Sequence, residues 1–462
     1  MLSGVFGNQY GPPCGLTTPG LTIIMSRDLT QSNAHFAKAV QQLPLGVSSS
    51  FRYWGEDKTI YIKQGKGGRL TDIDGNDYID YRLGYGPAIL GYAHPEVDTA
   101  AREGMEIGGV FAFGTEREYT VAQKISEMVP SAELVRFSNS GTEAVMAALR
   151  VARSASGKDD FIMIEGGYHG VFDAVLWYSE VEEGWTPDSG RDPEVLAYSA
   201  GVPESSKQHI HMVPMNDAEK LEDVLRAHGD RIGSLLIEPM MGNCCSITAS
   251  REYMQAVRAL CDRYGVILII DEVKTGFRVA RGGIQELLGV QADICTFAKA
   301  VANGYPIAVV AGREALMREI GDGVVHGGTY TAHSVSLAAA EKTLSILQET
   351  DVLADIAGYG DRLQAGLSDI LKARKIDHSF VGHPSMGGMF FAPTPPSNYR
   401  EWVHSDYTFY ESLAPQLHDR GVIVEPDSRE PWFICAAHDE VCLRETLAAF
   451  EESVDATMEA LA

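Results

Sequence analysis

The chain has 462 residues, long enough to bury a large core and to form more than one lobe. With 45% hydrophobic and 22% charged residues, its composition is that of a globular protein. A formal net charge of -25 without a basic block argues against a nucleic-acid or anionic-membrane partner, so an anionic substrate would need a local cationic site. Seven cysteines, with no C-x-x-C and no framework spacing, argue against a zinc cluster or a disulfide scaffold; the expected compartment is reducing, the cytoplasm by default. Apolar runs such as "GVILII" have strand length, far short of a bilayer span.

Residues 1–24 lack Lys and Arg and are rich in Gly, Pro and Thr. Residues 1–30 are therefore expected to be a loose leader rather than a signal peptide, with Met25 a candidate natural start. "QSNAHFAKAVQQL" (31–43) spaces its apolar residues as a helix does. "GRLTDIDGNDYIDY" alternates around Asp74-Gly75, a hairpin signal. "TEREYTVAQKISEMV" opens with Thr115 and Glu118 in a capping-box pattern and continues as an amphipathic helix. Strands and helices then alternate: "LVRFSNSG", the helix "TEAVMAALRVARSA", and the apolar strands "DFIMIEGG", "GSLLIEP", "GVILIIDEV" and "ADICTFAK". This texture predicts an α/β fold on a mostly parallel sheet covered on both faces. After about residue 345 the texture changes to helix, a Gly/Pro-rich stretch, strands and a terminal helix. The expected division is a leader at 1–30, a segment at 31–80 that joins a small domain, a large domain at 81–345, and the C-terminal small domain at 346–462.

Ligands of open α/β sheets sit at the carboxyl ends of the strands, and four motifs fall there. "SNSGTEA" places Ser140, Gly141 and Thr142 where a strand turns into a helix, either an anion cup or a plain helix cap. No P-loop and no G-x-G-x-x-G accompanies it, so a single phosphate suits it better than a nucleotide. Asp271 ends "VILII", where a carboxylate needs a partner: a protonated ring nitrogen, a helix N-terminus or an internal ion pair. Tyr168 and His169 supply flat rings after another strand, or simply a core tyrosine and a surface histidine. Lys299 stands in the apolar run "TFAKAVANGYP", and a lysine in such a place has a shifted proton affinity or a job. Together these are the parts that pyridoxal 5′-phosphate requires. Lys274 in "DEVKTGFR" is a rival for the Schiff-base lysine, but it lies too close to Asp271 for one strand end to serve both roles. "HIH" at 209–211 puts two imidazoles on one strand face without a third metal ligand, which favours a structural role and no metal site.

The motifs "DIDGNDYIDY", "GYGPAILGYAHPEV", "FSNSGTEAVMAALRVAR", "GGYHG", "DEVKTGFRVARGG", "AKAVANGYPIAVVAG" and "HGGTYTAHS", in this order, make the chain resemble the class III (fold type I) aminotransferases. Within that family the nearest resemblance is to the glutamate-1-semialdehyde 2,1-aminomutase-like group. The resemblance implies a seven-stranded, mostly parallel sheet in the large domain and a smaller α+β domain. It implies that Lys299 carries the cofactor and moves the proton, and that Asp271 keeps the pyridine nitrogen protonated. Val273 and Tyr168 should flank the ring, with His169 and Glu238 nearby, while Ser140, Gly141 and Thr142 cup the phosphate. Thr329 should reach the phosphate of a neighbouring subunit, which implies a homodimer. Arg52, Tyr85 and Glu430 are the substrate-side candidates: Arg52 for a carboxylate, Tyr85 beside the pocket and Glu430 near an acidic gate.

Departures from the group concentrate in the pocket wall. Lys274 stands where the aminomutase normally has methionine, and "AHS" replaces its asparagine-proline after the phosphate threonine. The expected activity is therefore a ping-pong transaminase acting on an amine or a β- or ω-amino acid and a keto acid or aldehyde. An aminomutase is the alternative, with a racemase or a non-catalytic pyridoxal-phosphate-binding protein less favoured.

Overall fold

The computed structural model describes residues 27–182, 185–186 and 191–462; the expected leader through Ser26, with Met25, lies outside them. Seven strands form the central sheet: β1 (Leu134–Ser138), β2 (Asp160–Ile164), β3 (Ile210–Val213), β4 (Ile232–Ile237), β5 (Ile267–Asp271), β6 (Ile294–Phe297) and β7 (Ala308–Gly312). Their order across the sheet is β1-β7-β6-β5-β4-β2-β3. Neighbours from β3 through β6 pair in parallel, whereas β7 runs antiparallel to both β6 and β1. Two of these strands, β3 and β7, were not among the apolar runs singled out from the sequence. β3 carries a polar His211 between its apolar residues, and β7 follows a turn that hides its boundary.

Strands β2, β4, β6 and β7 are buried at every position, as a sheet covered on both faces requires. The helix Gly141–Ser156 lies against β4, β6 and β7, presenting Ala144, Ala147, Ala148 and Ala152 so that helix and sheet approach closely. The helices Pro95–Glu106 and Ser334–Glu349 pack on each other, and Gly104 makes this possible, because a Cβ there would stand 2.7 Å from the Ser334 carbonyl oxygen. The helix expected from Thr115 runs Glu116–Met128, and Glu118 accepts the Thr115 N–H at 2.7 Å.

Beyond the central sheet, the hairpin strands Arg69–Asp72 and Asp77–Asp80 pair around Gly75, whose φ of 91° suits glycine alone in this turn. Asp77–Asp80 pairs in parallel with Val422–Ile423, so the N-terminal segment and the C-terminal part meet in one sheet. A second small sheet joins Ser379–His383, Met386–Phe390 and Trp432–Phe433, and the helices Val352–Ala373, Thr408–Asp419 and Glu440–Leu461 complete this region. His209 and His211 both bond Asp160 at the amino end of β2, at 2.9 and 3.1 Å, joined by Arg231 at 2.8 Å. The two imidazoles thus hold a buried carboxylate at the end of the sheet opposite to the motif-bearing loops. No helix among the described residues is long and apolar enough to cross a membrane.

Candidate functional site

The chain leaves β5, β6, β2 and β4 at their carboxyl ends with Asp271, Lys299, Tyr168-His169 and Glu238. All five residues line one cavity of about 180 Å³, together with Gly141, Thr142, Val273 and Lys274. Asp271 is buried and fully engaged. One carboxylate oxygen accepts the Val273 N–H at 3.0 Å and the Thr296 hydroxyl at 3.2 Å, and the other meets His169 Nδ1 at 2.8 Å. The remaining ring nitrogen of His169 is buried without a hydrogen-bond partner among the described residues.

Lys299 comes two residues after β6 and adopts a φ of 47°, the left-handed region that a lysine occupies only when its surroundings impose it. Its ammonium has no hydrogen-bond partner among the described residues. Burial, and next the nearby Lys274 charge, push its proton affinity down to about 8. The rival, Lys274, is committed elsewhere. Its Nζ donates to both oxygens of Glu430 at 2.9 and 2.8 Å and to Asn243 Oδ1 at 2.7 Å.

The anion cup is the start of the helix Gly141–Ser156. Ser140 is its N-cap: its hydroxyl accepts the Glu143 N–H at 3.3 Å, while the Glu143 carboxylate takes the Asn139 and Ser140 N–H groups at 2.6 and 3.2 Å. Ser140 is exposed and outside the cavity lining, so the cup's inner wall is Gly141 and Thr142, first-turn residues whose N–H groups a helix leaves unpaired. Two glycines keep it open. A Cβ at Gly141 would stand 3.1 Å from Val273 Cγ2, and one at Gly170, where φ is 104°, would stand 2.5 Å from Thr142 Oγ1. Thr329 is exposed, on the loop where a Cβ at Gly328 would lie 3.7 Å from Asn139 Nδ2.

Glu238 is buried and accepts the Tyr168 N–H at 2.8 Å and the Gly242 N–H at 3.3 Å. Burial first, and the Asp271 charge second, raise its proton affinity. Burial pushes the Tyr168 phenol up to about 12, and its ring meets Phe51 edge-on at 6.3 Å. Tyr85, at φ 69°, donates its hydroxyl to the Phe51 carbonyl at 2.6 Å and packs under the Arg82 guanidinium, which pairs with Glu425 at 2.7 Å. Tyr85 therefore props the aromatic wall through Phe51. Arg52, in contrast, is exposed and does not line the cavity. Sequence reasoning missed Thr296, Asn243, Gly170 and Gly242; only the glycines carried a signal, in "GGYHG" and "MMGN".

Pyridoxal 5′-phosphate needs an amine, a carboxylate for the ring nitrogen, a flat slot and a phosphate cup. Lys299, Asp271, the Val273 and Tyr168 side chains, and the Gly141-Thr142 turn meet those needs around one cavity, with the unpartnered Lys299 amine in place of a settled ion pair. The residues present fit the group.

Comparison with known proteins points the same way. The family model of the class-III aminotransferases matches residues 52–460. A glutamate-1-semialdehyde 2,1-aminomutase from Methanothrix thermoacetophila is 38% identical over 92% of this chain and 96% of its own. One from Archaeoglobus fulgidus is 36% identical over 92% of this chain and 100% of its own. Among solved structures, an omega-transaminase from Sphaerobacter thermophilus superimposes with a TM-score of 0.86 at 27% identity, covering 92% of this chain and 97% of that one.

Proposed function

This chain belongs to the class-III aminotransferases and its cofactor is pyridoxal 5′-phosphate; from that premise we propose that it shifts an amino group within one substrate molecule, as a glutamate-1-semialdehyde 2,1-aminomutase does. The single observation behind this reading is the near full-length similarity to aminomutases, which outweighs the expectation of intermolecular transfer drawn from the altered pocket wall. Bound at this site, the cofactor supplies an electron sink for bond breaking at the amine-bearing carbon.

The residues around it have separable tasks. Lys299, whose amine gives up its proton at about 8 rather than 10.5, binds the cofactor and moves a proton at the substrate carbon. Asp271 holds the proton on the ring nitrogen, and His169 orients that carboxylate from its far oxygen. Gly141 and Thr142 take the phosphate, with Ser140 setting the helix start. Val273 and Tyr168 bound the ring slot, and Glu238 fixes the Tyr168 backbone beside it. Tyr85, behind Phe51, and Glu430, behind Lys274, back the substrate side without themselves lining the cavity. Arg52, exposed and outside the cavity lining, is proposed to meet a substrate carboxylate only at the outer rim.

Thr329 is proposed to serve the site of a second subunit, in a homodimer. The exposed apolar side chains Met105, Ile107, Phe111, Phe113 and Tyr119, with Val325 and Tyr330 beside Thr329, support that assembly.

Intermolecular transamination is the second reading, favoured by the ion pair that ties the cavity-lining Lys274 to Glu430. The two separate on one experiment, in which holoenzyme receives glutamate-1-semialdehyde with no keto acid. Formation of 5-amino-4-oxopentanoate well beyond one equivalent per site supports the aminomutase. Consumption of the semialdehyde that stops at one equivalent, with 4,5-dioxopentanoate as the product, and resumes with pyruvate or 2-oxoglutarate supports the transaminase.

A further inference from the structure

Two lysines line the cavity, and only Lys299 has a task in the reaction described above. The chain makes deliberate room for the other: a Cβ at Gly242 would collide with Lys274 Cδ. Lys274 spends all three of its donors, one on Asn243 and two on Glu430, and both members of the ion pair are buried. Such a pair contributes little stability over a well-packed apolar pair, so stability alone does not account for it beside a reactive amine.

Glu430 closes an acidic turn. Glu425 faces Arg82 at 2.7 Å and Asp427 faces Arg429, so Glu430 is the acid of this turn whose cation stands on the cavity wall. Besides Lys299 and Lys274, the cavity lining contains no lysine or arginine; Arg52 lies outside it.

We propose that Lys274 is the anion receptor of the cavity, and that the Glu430 carboxylate occupies the place taken by a non-reacting carboxylate of the substrate. Binding then exchanges one carboxylate for another: Glu430 leaves on its turn as the substrate anion arrives, and Lys274 keeps an anionic partner throughout. A neutral amine offers no exchange, because releasing Glu430 for it would leave a buried cation unpaired. The ligand class is an amine that carries a carboxylate a few bonds from the reacting nitrogen. This inference rests on the reading of the cavity as an amine-processing site, and its test separates the two.

The test compares wild-type holoenzyme with E430Q, which keeps the side-chain shape but removes the competing charge, and with K274M/E430Q, which removes both charges. Calorimetry measures binding of pentanoate and of pentanamide, neither of which can react. The proposal expects pentanoate to bind wild type more tightly than pentanamide does, to bind E430Q more tightly still, and to lose about tenfold or more in K274M/E430Q. Wild-type binding of pentanoate no tighter than of pentanamide, equal or weaker binding to E430Q, or retained binding to K274M/E430Q would each overturn it. If the double variant does not fold, the E430Q comparison alone decides.

Titration of the visible cofactor band with 4-aminobutanoate and with butylamine supplies the second readout, and the preference for 4-aminobutanoate should collapse in K274M/E430Q. If neither amine moves the band in wild type while pentanoate binding still follows Lys274, the anion receptor stands and the amine-site reading falls.

Discussion

His169 and Asp271 share a 2.8 Å hydrogen bond although one follows strand β2 and the other ends strand β5, which are separated in the sheet by β4. The bond spans the carboxyl end of the sheet and fixes one oxygen of Asp271, while the Val273 N–H and the Thr296 hydroxyl fix the other. A carboxylate held from both sides points in one direction, which is what a partner for a ring nitrogen must do.

Asp271→Asn should preserve this geometry and remove the charge. Turnover should fall by about 100-fold or more while the cofactor remains bound. Steady-state kinetics together with the visible absorption spectrum check this; a loss below about threefold would remove Asp271 from the electronic role.

Lys299→Ala should lower turnover by at least about 100-fold, yet leave cofactor bound without a covalent link, because the cup at Gly141 and Thr142 is untouched. Dialysis followed by cofactor quantification would report it. Turnover near the wild-type rate would transfer the catalytic task to another amine.

Gly170→Ala places a Cβ 2.5 Å from Thr142 Oγ1 at a φ of 104°, so it strains the backbone and pushes on the cup at once. The expected cost is about 1–3 kcal/mol, shared between stability and cofactor affinity. Thermal unfolding of the protein with and without cofactor separates the two, and an unchanged melting temperature in both forms would contradict the packing described.

The pH dependence follows from Lys299. Its folded value of about 8 lies below the ordinary 10.5, so the reactive free amine gains population as pH rises through about 8. Capture of pyridoxal phosphate by apoprotein should accelerate roughly fivefold between about pH 7 and about pH 8, then level off above about pH 9. An ordinary lysine would keep accelerating past about pH 10. The same shift has a stability sign: between about 8 and 10.5 the unfolded chain binds the extra proton, so apoprotein loses stability as pH falls through that window and no more below it. Stopped-flow absorbance gives the first profile and denaturant titration the second.

Much of the site was legible in the sequence because strand ends are easy to read. An apolar run followed by Asp271, Glu238 or Lys299 places a polar group at the rim of a parallel sheet, and those three residues do meet there. The Ser140-Gly141-Thr142 turn likewise announced the helix that forms the cup, though not the part Glu143 plays in capping it. Relationships between distant segments left no local signal. Lys274 and Glu430 lie 156 residues apart, and nothing in either neighbourhood reveals that one neutralises the other. Arg52 illustrates the converse. Its motif resembled a carboxylate binder, but whether a side chain on a short exposed turn reaches the cavity depends on packing that periodicity does not encode. The strand Ile210–Val213 was read only from its "HIH" start and not as part of the central sheet, because His211, drawn to Asp160, interrupts its apolar run.

The most direct measurement asks which lysine carries the cofactor. Holoenzyme would be treated with borohydride to reduce the cofactor–lysine bond, digested, and the pyridoxyl-labelled peptide sequenced by mass spectrometry. The account predicts the label on Lys299, within the peptide that contains "TFAKAVANGYP". A label on Lys274 would contradict it, since that lysine would then have left Glu430 to do the chemistry.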